Sequence, residues 1–149
     1  MEGPNPRSTA QIAGHPLHPM FIPFPVAFLV TTLVTDIVYA KTANPAWATA
    51  STWLVGAGVI MGLLAALFGF TDLFGSREIR ALKEVWRHMI GNLLAVVLSA
   101  VNWWIHYSSG AAGVVPTGLV LSAIVVLILL YTGWMGWEMV YRRHVGVAD

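Results

Sequence analysis

The chain has 149 residues, 57% of them apolar and 10% charged, with a formal net charge of +1 and no cysteine. Soluble domains average about 25% charged residues, so this chain has too little charge to coat a soluble surface, and its near-neutrality gives nucleic-acid binding no support. The absence of cysteine excludes disulfides, thiolate metal ligands, cysteine-held iron–sulfur clusters and covalent haem attachment.

Residues 1–19 are polar and proline-rich, so no cleavable signal peptide is expected. The first apolar run, over residues 20–40, reads as an uncleaved insertion signal and first span. Pro23 and Pro25 suit a first turn and disrupt later ones. Regular helix is therefore expected from about Pro25, with residues 16–24 extended along the interface. A turn at Asn44-Pro45 leads to a second span over 48–74, which Gly75 ends. Residues 75–85 form a charged connector, and Ile79, Leu82, Val85 and, just beyond it, Trp86 are spaced as in a short amphipathic helix. A third span follows over 86–107. After a glycine-rich connector, Pro116 fits the start of a fourth span over 117–141. Each span approaches or exceeds the roughly 20 residues that cross a hydrocarbon core. The expected fold is all-α, a four-helix transmembrane bundle forming one membrane domain over 1–149.

The basic residues set the expected orientation. Arg7, Arg77, Arg80, Lys83, Arg87, Arg142 and Arg143 fall on the side that holds both termini and the middle connector, whereas the other side has only Lys41. The excess of Lys and Arg in cytoplasmic loops then puts both termini in the cytoplasm. Trp47, Trp53, Trp103 and Trp104 fall near the outer interface and Trp86, Trp134 and Trp137 near the inner one, depths that amphipathic rings prefer.

Lipid gives helices no hydrophobic reason to associate, so small and polar residues mark the contact faces. The second span carries Gly58, Gly62, Ala65, Gly69 and Asp72 at helical spacing. The third carries His88, Gly91, Asn92, Ala95, Ser99, Asn102 and His106; the fourth has Gly118, Ser122, Leu129 and Gly133; the first offers Thr32, Thr35 and Asp36. Ionisable residues inside spans are candidates for function, because burying them unpaired is costly.

Four of the five histidines, His15, His18, His88 and His144, come from three chain segments that share the inner side. Asp72 and Glu138 lie at similar depth. In Gly14-His15-Pro16-Leu17-His18-Pro19, the prolines bias both histidines toward extended backbone. Neutral imidazole is a ligand for zinc, copper and iron, haem iron included. One reading is structural, with histidines capping helices and meeting phospholipid headgroups. A second is b-type haem held by two histidines from different segments, with Arg80, Arg87, Arg142 and Arg143 near the propionates. A third is a non-haem transition metal with Asp72 or Glu138 as an oxygen ligand, and a fourth is proton or solute transfer. His106 lies five turns, about 27 Å, from His88. It cannot share an ion with His88, and its neighbours Trp103, Trp104 and Tyr107 make it read as an interface anchor.

The His-Pro pair before a proline-led helix, Asp72 closing the second span, Arg87-His88 with Asn92 opening the third, and the fourth-span exit from Gly136 to Tyr141 followed by His144 together resemble the bacterial membrane family known as domain of unknown function 2231. The resemblance covers nearly the whole chain. It implies a four-helix protein of the bacterial inner membrane and carries His15, His18, His88 and His144 over as motif histidines, leaving His106 outside. Some members are joined to Rieske-type domains, which hints at electron transfer.

The expected function is a cytoplasmic-side histidine cluster of His15, His18, His88 and His144 binding b-type haem or a transition metal for redox chemistry. It would serve as a redox or binding subunit rather than a stand-alone enzyme. His15 or His18 would be one ligand and His88 or His144 the other, with Asp72 and Asn92 fixing imidazole tautomers and Glu138, Arg87 and Arg143 close by. The partners would be the lipid bilayer and a redox protein or a second copy. A scaffolding bundle associating through the glycine face, or an oligomeric ion or proton carrier, is the alternative.

Overall fold

In the computed structural model, which describes residues 5–147, four helical spans cover most of the chain. The first, Leu17–Thr42, comprises a short helix α1 (Leu17–Phe21) and α2 (Pro23–Thr42). The second is α3 (Pro45–Gly75); after α4 (Arg77–Ala81) the third is α5 (Lys83–Ser109). The fourth joins α6 (Ala111–Gly113), a π-helical turn (Val114–Gly118) and α7 (Leu119–Tyr141). The spans have 26, 31, 27 and 31 residues, each enough to cross a membrane.

Local chemistry sets the boundaries. Pro45 is the first residue of α3, and the Asn44 side chain caps that helix by accepting from the Ala46 amide at 3.0 Å. Ser76 ends α3 and caps α4, its hydroxyl accepting from Ile79 N–H at 3.2 Å and donating to Glu78 at 2.8 Å. The Glu78 carboxyl is held below the usual range by its own backbone N–H first and the Ser76 hydroxyl second. The amphipathic connector is thus only five helical residues, broken at extended Leu82; Ile79 and Val85 are buried beside Leu73.

Of residues 16–24, which the prolines led us to expect extended, only Pro16 is. Extended backbone is confined to a tight hairpin, β1 (Gln11–Ile12) and β2 (His15–Pro16), whose turn needs Gly14 at φ +82°. From Leu17 the chain is helical. Pro19 falls in the first turn of α1, and Pro23 and Pro25 in the first turn of α2, where a missing N–H breaks no helical bond.

Each span packs on its neighbours in sequence, and α7 returns to α2, closing a four-helix ring. The ring closes tightly because α3 is shallow: a Cβ on Gly58 would come within 2.6 Å of Leu29. Leu29, Val55, Ala95 and Val125, one from each span, form a central apolar layer. Trp53, Leu67, Leu127, Leu130 and Trp134 face outward, as lipid-facing helices require. The terminal segments meet, with Gly146 N–H donating to the Pro6 carbonyl at 2.8 Å. They and the α3–α5 connector define one face, the terminal face; the turns at Ala43 and Gly110 lie on the far face.

Candidate functional site

Two of the four clustered histidines come together. His18 in α1 and His88 in the second turn of α5 have ring centroids 6.1 Å apart and planes at 82°. The Nδ1 of His18 lies 2.7 Å from the Ala65 carbonyl of α3, and the Nδ1 of His88 lies 2.9 Å from the Thr132 carbonyl of α7. A carbonyl only accepts, so each Nδ1 carries its ring's proton and, in the neutral ring, each Nε2 keeps a lone pair. Glycines make these close approaches possible. A Cβ on Gly69 would sit 3.0 Å from His18 Cε1, and one on Gly136 would sit 3.4 Å from His88 Cε1. The Cε1–Nδ1 edges therefore lie against α3 and α7, and His18 Nε2 also stays near α3, 3.6 Å from the Cβ position of Gly69.

Both rings line a mostly apolar cavity of about 190 Å³ that runs from Val145 at the terminal face to Leu29 and Ala95 at mid-bundle. Met89, Met139 and Leu129 supply much of its wall.

The other expected members of the cluster are elsewhere. His15 is exposed in β2, and His144 is exposed in the turn after α7 at φ +51°. The expected convergence of four imidazoles reduces to His18 and His88, because α1 is folded inward while the hairpin and the post-helix turn stay at the surface. Asp72 does not orient an imidazole. Its Oδ1 accepts from Ser8 Oγ at 2.8 Å, Thr9 N–H at 2.7 Å and Ala10 N–H at 2.8 Å, clamping the N-terminal segment over α3. Asn92 acts one step back: its side chain donates to the His88 carbonyl at 2.8 Å and accepts from the Thr132 hydroxyl at 3.1 Å. The tautomers are fixed by backbone carbonyls instead. Glu138 pairs with Arg142 and Arg143 with Glu84, at 2.8 and 2.9 Å, and Arg87 is exposed.

His106 is not an interface anchor. It is buried, and its Nε2 lies 3.1 Å from Asp36 Oδ1, with neither side chain exposed. Its Nδ1 lies 2.9 Å from the Asn102 carbonyl. Ser122 donates to Asp36 Oδ2 at 2.6 Å and accepts from the Asn102 amide at 2.9 Å. The far half of the bundle thus holds a second polar centre contributed by α2, α5 and α7. The face shared by Ser99, Asn102 and His106 was the sequence signal for it; the aromatic neighbours of His106 pointed the other way.

A protein-family model described as "Predicted membrane protein (DUF2231)" matches residues 14–149. No curated protein and no solved structure matches the chain.

Proposed function

The chain belongs to the predicted membrane protein family DUF2231, and from that premise we propose that His18 and His88 would hold a b-type haem in an electron-transfer subunit. The observation that carries this reading is the ring pair itself, 6.1 Å between centroids with both Nδ1 protons given to backbone carbonyls. Two metal–nitrogen bonds of about 2.0 Å, plus roughly 1 Å from nitrogen to ring centre on each side, ask for about 6 Å.

Donor number favours haem over a bare ion. Among the described residues no group of three His, Cys, Asp or Glu side chains comes together. A non-haem ion would have two protein ligands where such sites use three or more, whereas a porphyrin supplies four nitrogens and asks the protein for two. The apolar wall of the cavity suits a porphyrin better than a hydrated ion, and the cavity of about 190 Å³ would have to widen between the helices to admit one. When bound, the haem would supply a one-electron iron couple whose potential follows its imidazole ligands and its low-polarity surroundings.

The chain's own contribution is orientation. The Ala65 and Thr132 carbonyls hold each ring, Asn92 steadies Thr132, and Met89 and Met139 line the cavity beside the pair. The excess of basic residues on the terminal face supports a cytoplasmic side for this site in a bacterial inner membrane, where a redox partner would approach.

The test is the visible spectrum of the protein purified in mild detergent with haem supplied. The wild type should show a Soret band with low-spin features. His18→Ala and His88→Ala should abolish it, Asn92→Ala should weaken haem binding about 10-fold, and His15→Ala and His144→Ala should leave it unchanged. No Soret band in the wild type, or equal loss in all four histidine variants, overturns the reading.

A further inference from the structure

We infer that Asp36 and His106 form a proton-binding site in the far half of the bundle, holding one exchangeable proton between them. The hydrogen-bond geometry dictates the proton count. His106 Nδ1 faces the Asn102 carbonyl at 2.9 Å, and a carbonyl cannot donate, so Nδ1 bears a hydrogen. Nε2 then faces Asp36 Oδ1 at 3.1 Å, and that contact needs one more proton, whether it sits on nitrogen as an imidazolium–carboxylate pair or on oxygen as a carboxylic acid beside neutral imidazole. Either arrangement is neutral overall. Release sends that proton to water and leaves an Asp36 carboxylate beside a neutral His106 protonated at Nδ1, a net charge of −1.

No other charge takes the place of that proton. Residues 45–71 of α3 and 110–130 of the fourth span contain no Asp, Glu, Lys, Arg, His or Tyr. On α2 the nearby titratable groups are half-buried Tyr39 and exposed Lys41, and on α5 exposed Tyr107. The partners left to a released carboxylate are hydroxyl and amide dipoles, with Ser122 already donating to Oδ2 at 2.6 Å.

Two buried polar atoms on the mid-bundle side of the pair mark a place for ordered water, and two features of the far side give the proton a way out. Ser99 Oγ and Asn102 Oδ1 are buried polar atoms without a hydrogen-bond partner among the described residues, the kind of group that ordered water serves. The backbone beside the pair is irregular: the kinked turn Val114–Gly118 contains non-helical Val115 and ends at Gly118, which packs directly against the His106 ring. His106 is also within one turn of the end of α5 at Ser109. Toward the other face the pair is sealed by the apolar layer of Leu29, Val55, Ala95 and Val125. Exchange therefore runs through the far face, and the site is separate from the His18–His88 cavity.

The test is solid-state NMR of the protein in lipid bilayers without added haem, with nitrogen-labelled histidine and carbon-labelled aspartate, over a pH series. The His106 ring and the Asp36 carboxyl should change together at one midpoint, with loss of one proton. Asp36→Asn should abolish that transition and leave His106 protonated at Nδ1 alone. Signals that stay constant over the whole pH range in which the bundle remains folded would overturn the inference, as would separate midpoints for the two residues. The wild-type series decides the matter even if the variant does not fold. A flat series also leaves the haem reading standing, since the two sites have different readouts.

Discussion

At the scale of single residues, Asp36 and His106 illustrate how burial changes the worth of a charge. Neither side chain is exposed, so removing one leaves the other stranded in a low-dielectric interior. Breaking a buried pair in this way costs about 3–5 kcal/mol. We expect His106→Leu to destabilise the bundle by that amount, and the double variant Asp36→Leu with His106→Leu to recover part of it, as read by denaturation in detergent. A double variant no more stable than His106→Leu alone would contradict the account. His106 was only half legible in the sequence. Its helical spacing from Ser99 and Asn102 put it on the polar face of α5, whereas Trp103, Trp104 and Tyr107 suggested an interface. The face decides, because side chains three and four residues apart on a helix share an environment and adjacent ones do not. The carbonyls of Ala65 and Thr132 that orient His18 and His88 were not legible at all, since every residue carries one and only packing selects among them.

At the scale of elements, small residues decide where the helices meet. The helices are apolar nearly all round, so periodicity alone says little about which face turns inward; the glycine, serine and histidine stripes say more. Gly69 is the most sensitive of these positions, with a Cβ there 3.0 Å from the His18 ring. Gly69→Val should displace His18 and abolish haem binding while leaving the protein helical by circular dichroism. Retention of the Soret band would show that His18 is not held where described. Asp72 anchors the N-terminal segment through four hydrogen bonds, to Ser8 Oγ, Thr9 N–H, Thr9 Oγ1 and Ala10 N–H. Asp72→Ala should release that segment and expose residues 8–12 to protease, with the spans still protected. The clamp was hidden in the sequence because it joins a span to a polar leader with no periodicity of its own.

At the scale of the molecule, the number of spans followed from apolar length, but the inward fold of α1 did not. The prolines at 19, 23 and 25 forbid a continuous helix from Leu17 yet permit two helices that each place proline in a first turn. That arrangement lifts His18 away from His15 and brings it to His88. The terminal segments and the α3–α5 connector share a face that carries most of the Lys and Arg. In the proposed orientation, single cysteines at the exposed positions His15 and His144 should react with a membrane-impermeant reagent only after cytoplasmic access is opened, and one at Ser109 without it; the reverse pattern would invert the orientation.

The most direct measurement of the central claim is electron paramagnetic resonance of the haem-loaded ferric protein. If His18 and His88 hold the haem with their planes at 82°, the signal should be of the strongly anisotropic low-spin kind, lost in both His18→Ala and His88→Ala. A high-spin signal, or the rhombic low-spin signal of parallel imidazoles, would contradict it.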